Sequence, residues 1–152
     1  KTLSDKEFEC FKQDENRKIT VGGISDYPEA AYRISRDLST RFPFIGEPME
    51  HFGNGIVAGI IYPPGDFYPH TDADYKVDGK SVIGFNLLVS QPEGGGEVTV
   101  SGKTHSLRRG DMMAYPITDY EHSVAAITGS QPRVMWYWRF YCDLAAWEAL
   151  SA

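Results

Sequence analysis

The chain has 152 residues, of which 41% are hydrophobic and 24% charged, and its formal net charge is −6. That length is enough for one domain with a core of its own, and no apolar run is long enough to span a bilayer. The acidic balance, with scattered basic residues and Arg108-Arg109 as the densest pair, argues against a nucleic-acid partner held by its phosphates.

Residues 1–18 are polar and charged and read as a short helix or a frayed terminus. The chain does not open on Met, which leaves room for a preceding segment. Asp26-Tyr27-Pro28-Glu29 reads as a helix start: Asp26 can cap, Pro28 suits the first turn, and Glu29 follows the cap by three. Tyr27, Ala30, Ala31, Ile34 and Leu38 then recur at helical spacing, which predicts an amphipathic helix over about 27–40.

From residue 55 the texture changes to short apolar segments punctuated by Gly, Pro and Asp. Strands are expected at Ile56–Tyr62, Ser81–Val89, Glu97–Val100, Lys103–Leu107, Met112–Tyr115, His122–Ile127 and Arg133–Phe140. Ser101-Gly102 is a two-residue hairpin signal between two of them. Ala145–Leu150 reads as a last helical turn or two. Seven or so short strands after one helix predict a mainly β (α+β) fold: a double-stranded β-helix, or jelly-roll barrel, with one or two N-terminal helices packed outside. The whole of 1–152 reads as a single domain, helical over about 1–45 and barrel over about 50–142.

Within Arg133–Phe140 the side chains alternate. Val134, Trp136, Trp138 and Phe140 form a core-like face, and Arg133, Met135, Tyr137 and Arg139 form the other. Arginines on an inward face need partners, because a buried unpaired charge is costly. An anionic ligand would supply one.

Cys10 and Cys142 sit near opposite ends and could form one bridge, but nothing else suggests a disulfide scaffold. A reducing, cytoplasmic setting is expected, with no membrane partner. The oligomeric state is open. His51 and His105 have no partners at useful spacing and read as surface or local hydrogen-bonding residues.

His70 and Asp72, two apart, point to one side of an extended chain. A downstream imidazole, His122, completes two His and one carboxylate. That set leaves one face of a metal open, as in non-haem Fe(II) oxygenases. Arg133, eleven residues after His122 at the start of the next strand, would stand behind the metal, where its fork matches a carboxylate. Tyr68 and Phe67, beside the first ligand, are candidates to line a substrate pocket. Arg139, on the face of Arg133, either meets a substrate carboxylate or pairs with Asp143 or Glu148. Asp74 and Asp78 read as a solvated turn, with a hold on a substrate ammonium as the other reading.

The stretch Tyr62-Pro63-Pro64-Gly65-Asp66-Phe67-Tyr68-Pro69-His70-Thr71-Asp72 resembles the ligand-bearing segment of prolyl-4-hydroxylase-type 2-oxoglutarate/Fe(II) dioxygenases. So do Gly94-Gly95-Gly96-Glu97-Val98, the run Gly110-Asp111-Met112-Met113-Ala114-Tyr115-Pro116 followed by His122-Ser123-Val124, and Gly129 ahead of Arg133, although the last spacing is wider than the family's. The resemblance covers about residues 55–140. It implies Fe(II) held by His70, Asp72 and His122, 2-oxoglutarate salt-bridged to Arg133, and Tyr62 bonding the co-substrate or lining its pocket. Asn86 or Leu87 stands where some relatives place a further co-substrate contact.

The activity implied is oxidative decarboxylation of 2-oxoglutarate by O2, coupled to hydroxylation of an unactivated C–H bond, with ascorbate as an accessory reductant. The short chain tilts the expected substrate toward a small metabolite or amino acid, and its acidity toward a neutral or cationic one. The alternatives are a peptidyl, prolyl-type hydroxylase, a non-catalytic cupin-like metal- or anion-binding barrel, and a cupin Fe(II) dioxygenase that needs no 2-oxoglutarate.

Overall fold

Strands alternate with little helix along this chain, and the few long ones build a barrel wall. A computed structural model describes residues 8–15, 18–24, 27–49 and 55–152. In chain order the elements are β1 (Phe8–Asp14), β2 (Ile19–Ile24), α1 (Glu29–Arg41), β3 (Ile45–Pro48), β4 (Ile56–Ile61), β5 (Phe67–His70), β6 (Ser81–Ser90) and β7 (Gly94–Gly95). They continue with β8 (Val98–Val100), β9 (Lys103–His105), β10 (Met112–Pro116), β11 (His122–Val124), β12 (Ile127–Thr128), β13 (Arg133–Cys142) and α2 (Leu144–Ser151).

A large antiparallel sheet runs in the order β1-β2-β4-β13-β6-β10, with β3 also pairing with β13. A smaller sheet, β5-β11-β8-β9, faces it, and β12 pairs with β7. This is the expected jelly-roll barrel, mostly β with two helices. The helix expected over about 27–40 forms as α1. It stops at Phe42, which is extended at φ −124° and ψ 127°, as the residue before Pro43 prefers. The expected cap Asp26 lies outside the described residues, as does His51.

The N-terminal segment departs from expectation. Residues read as helical or frayed form β1 and β2, which extend the large sheet beyond β4. β-Branched Ile19, Thr20 and Val21 suit a strand, and their partners Ile61, Ile60 and Gly59 lie some forty residues downstream. A local reading has no access to such a partner.

The alternation of β13 divides the interior. Trp138 and Phe140 join Tyr27, Ala31, Leu38, Phe44, Ile56, Ile83 and Phe85 in a cluster between α1 and the large sheet. The fully buried Trp138 indole donates to the Ala31 carbonyl at 3.1 Å. The tryptophans are thus packing, as their face predicts. On the other side Val57, Val82, Val98, Val100, Tyr115 and Ile117 pack between the two sheets. Arg133, Met135, Tyr137 and Arg139 point into this inter-sheet space, where they line a cleft. Cys142 is a free thiol, half-buried at the end of β13, and burial pushes its pKa up to about 11. No helix among the described residues is long and apolar enough to cross a membrane.

Candidate metal centre and anion site

Pairing in the small sheet assembles the centre. β11 runs antiparallel to β5 with His122 directly opposite His70, so two imidazoles far apart in sequence become cross-strand neighbours with ring centroids 4.5 Å apart. The chain continues past β5 into Asp72, whose amide donates to the Ile117 carbonyl at 2.9 Å. That bond holds Asp72 beside both rings. Its carboxylate oxygens lie 3.6 Å from His70 Nε2 and 3.7 Å from His122 Nε2. One ligand atom from each residue fits within 4.8 Å of the other two.

The second nitrogens are equally ordered. His70 Nδ1 sits 2.7 Å from the Tyr68 carbonyl and His122 Nδ1 sits 3.0 Å from the Tyr120 carbonyl. A carbonyl only accepts, so each Nδ1 carries the hydrogen and each Nε2 keeps its lone pair toward Asp72. Backbone tethering of the outer nitrogen is how metal-binding imidazoles are oriented. Burial pulls the His122 pKa below the ordinary imidazole value, and the backbone bond and Asp72 oppose it only in part. The ring therefore stays neutral and able to ligate. Two neutral imidazoles and one carboxylate fit a divalent iron with open positions.

The cleft, about 830 Å³ out to solvent, lies between the sheets and includes all three residues. Deep in it stands Arg133, only 2% exposed, with its Nε lacking any hydrogen-bond partner. Burial lowers the Arg133 pKa, and Tyr137, whose hydroxyl contacts it, works the other way. Among the described residues no carboxylate reaches ion-pair distance of this guanidinium. A buried cation in that condition is costly unless something anionic joins it.

Arg139 also lines the cleft, six residues along the same face. It does not pair with Asp143 or Glu148. Its Nη1 donates to Asn86 Oδ1 at 2.7 Å, and its guanidinium carbon lies 4.5 Å from the centre of the Tyr137 ring. Asp143 instead caps α2 by accepting from the Ala146 amide.

Two residues expected at the site are not brought to it. Tyr62, just beyond β4, is 45% exposed and outside the cleft lining, because its turn faces solvent. Tyr68 is 51% exposed and also outside it; its ring leans on His70 from the outer face, 5.3 Å between centroids. Phe67 does line the cleft. Asp74 and Asp78 are exposed in the loop, in keeping with a solvated turn, while Lys76 pairs with Asp119.

Sequence reasoning passed over Tyr115, Tyr137 and Met113, and left Asn86 undecided against Leu87. All four line the cleft, while Leu87 packs toward α1. Tyr115 lies 5.1 Å from the His122 ring, and burial raises its pKa, so its phenol stays protonated. The signal was present: Met113 and Tyr115 alternate on β10, and Tyr137 shares the Arg133 face.

No protein-family model matches this chain, and no curated protein matches it. Solved structures do. A prolyl-4-hydroxylase from Pseudomonas putida aligns at TM-score 0.63 and 14% identity, over 91% of this chain and 78% of that one. An oxidoreductase of the 2OG-Fe(II) oxygenase family from Burkholderia pseudomallei aligns at TM-score 0.57 and 14% identity, over 85% and 70%. An RmlC-like cupin from Shewanella frigidimarina aligns at TM-score 0.51 and 14% identity, over 95% and 93%. At these identities the likeness is one of fold.

Proposed function

We propose that this protein is a 2-oxoglutarate- and Fe(II)-dependent dioxygenase that hydroxylates an unactivated C–H bond. The observation that carries the reading is the pairing, in one cleft, of an open His-Asp-His set with a buried arginine that has no carboxylate partner among the described residues. A metal-binding barrel needs the first; an anion in the cleft, which the co-substrate supplies, gives a reason for the second. Fold likeness to two oxygenases supports it.

Iron bound there supplies dioxygen activation coupled to oxidative decarboxylation of the 2-oxo acid, and the hard chemistry belongs to that pair. The chain's own groups have narrower tasks. His70, Asp72 and His122 hold the ion. Arg133 and the Tyr137 hydroxyl grip the far carboxylate, since a guanidinium fork matches it with two parallel bonds. Phe67, Val98, Val124 and Met135 line the cleft and keep stray water from the reacting centre. The substrate is a small metabolite or amino acid, with neither nucleic acid nor membrane involved, and the setting is cytoplasmic.

The test is Fe(II)-dependent succinate formation from 2-oxoglutarate in air, with and without a substrate panel. Activity is expected in the wild type and absent in Asp72→Ala. Absence of both 2-oxoglutarate binding and uncoupled turnover in iron-loaded wild type refutes the reading. The cupin match over 95% of the chain favours one rival, a barrel that binds metal without turnover. That rival predicts metal uptake with no response to 2-oxoglutarate.

A further inference from the structure

The cleft holds more positive charge than the proposed reaction accounts for. Its charged side chains are Asp72, Arg133 and Arg139. With neutral imidazoles, a divalent ion and a dicarboxylate in the places proposed above, one positive charge is left over. It belongs to Arg139.

That guanidinium is seated rather than adrift. Gly84, its direct partner across β6–β13, leaves the space it occupies: a Cβ there would come within 2.9 Å of the guanidinium carbon and closer still to Nη1. Gly59 does the same for the Tyr137 ring, whose edge would lie 2.6 Å from an added Cβ. Tyr137 in turn stacks against Arg139, and Asn86, itself buried, accepts from Nη1. Four residues on three strands therefore hold one cation in a fixed pose. Asn86 is uncharged, and among the described residues no carboxylate reaches Arg139. Arg139 lines the cleft.

Both cations meet Tyr137, Arg133 at the hydroxyl and Arg139 at the ring. In the proposed reaction the far carboxylate of the diacid is taken by Arg133 and its 2-oxo acid end by the metal, so neither end is left for Arg139. The charge of Arg139 is felt at the metal-centre residue His122 and, together with that of Arg133, at Tyr115, so both cations border the space beside the metal centre.

We propose that Arg139, positioned by Gly84, Tyr137 and Asn86, is the substrate-carboxylate site, so that the substrate is a carboxylic acid anchored in the cleft beside the co-substrate. This rests on the dioxygenase reading, which supplies the occupant of Arg133. It reverses the expectation, drawn from overall acidity, of a neutral or cationic substrate: the local field of a cleft outweighs a net surface charge screened by salt. A free acid and a peptide C-terminus share this chemistry.

The experiment measures binding to Zn(II)-loaded protein saturated with 2-oxoglutarate, by calorimetry and ligand-observed NMR. The twenty amino acids are compared with their amides, and trialanine with trialanine amide. At least one carboxylate is expected to bind tenfold or more tightly than its amide. Arg139→Gln is expected to erase that preference and Arg139→Lys to keep part of it. Preference among the single amino acids identifies a free acid; preference for trialanine alone identifies a peptide end. A panel in which no carboxylate outbinds its amide overturns the proposal, as does a preference that survives in Arg139→Gln. The two readings fail separately: 2-oxoglutarate binding, and its loss in Arg133→Met, reports on the dioxygenase. Should that fail, the same comparison in protein loaded with Zn(II) alone still tests Arg139.

Discussion

Arg133→Met separates a ligand-binding arginine from a structural one, because the two make opposite predictions for stability. Met keeps much of the volume and removes the charge. Arg133 is 2% exposed, its Nε has no partner, and its guanidinium meets the uncharged Tyr137 hydroxyl. Replacing a buried, poorly compensated charge by a well-packed apolar side chain is neutral or stabilising by about 1–4 kcal/mol. Stranding the Tyr137 hydroxyl offsets roughly 1 kcal/mol of that. The net expectation is about 0–3 kcal/mol of added stability. At about 2–4 °C per kcal/mol for a domain of this size, the melting temperature rises by up to about 10 °C or stays level.

The ligand response goes the other way. Removing one partner of a desolvated charge pair costs about 2–5 kcal/mol of binding, a loss of roughly thirtyfold to several-thousandfold in affinity. Wild type at a hundred times its Kd gains about 2.7 kcal/mol from 2-oxoglutarate, and the variant at the same concentration gains at most about 0.9 kcal/mol. Differential scanning calorimetry of Zn(II)-loaded protein with and without 2-oxoglutarate reads both effects. A variant that melts well below wild type and keeps its 2-oxoglutarate shift would refute the reasoning, and would make Arg133 a structural residue.

Further predictions concern titration, packing and the displaced tyrosine. In metal-free protein, burial holds the His122 pKa below the ordinary imidazole value of 6.5. The unfolded chain then binds the proton more readily, so this residue's contribution to stability falls as pH drops through the unfolded-state value and is unaffected well above it. A ring Cε1–H resonance of His122 titrating above 6.5 would contradict this. Trp138→Ala empties the fully buried centre of the helix–sheet cluster and leaves the Ala31 carbonyl without its donor, so urea unfolding is expected to show a loss of about 3–5 kcal/mol. Tyr62→Phe, remote from the cleft, is expected to leave 2-oxoglutarate affinity within about twofold by calorimetry, and a larger change would return Tyr62 to the co-substrate site.

Features carried by neighbours in the chain were readable without coordinates. The helical spacing of Ala31, Ile34 and Leu38 gave α1 its buried face, and the two-residue period of β13 separated Trp138 and Phe140 from Arg133 and Arg139. The offset between His70 and Asp72, with Arg133 eleven residues after His122, marked the candidate metal and anion groups. Each of these depends on backbone geometry that repeats within a few residues, so the pattern survives in one dimension.

What the tertiary structure decided depends on which strands meet. Pairing of β1 with β2, and of β2 with β4, turned a polar N-terminal stretch and the apolar segment after it into sheet. Pairing of β6 with β13 set Gly84 under Arg139 and brought Asn86 to it, so a cation that could have met Asp143 or Glu148 turned into the cleft. Tyr62 and Tyr68 sit beside site residues in sequence yet face solvent, while Tyr115 and Tyr137 come from other strands to take up the interior. Period and spacing assign a side chain to a face; only long-range pairing decides what that face meets.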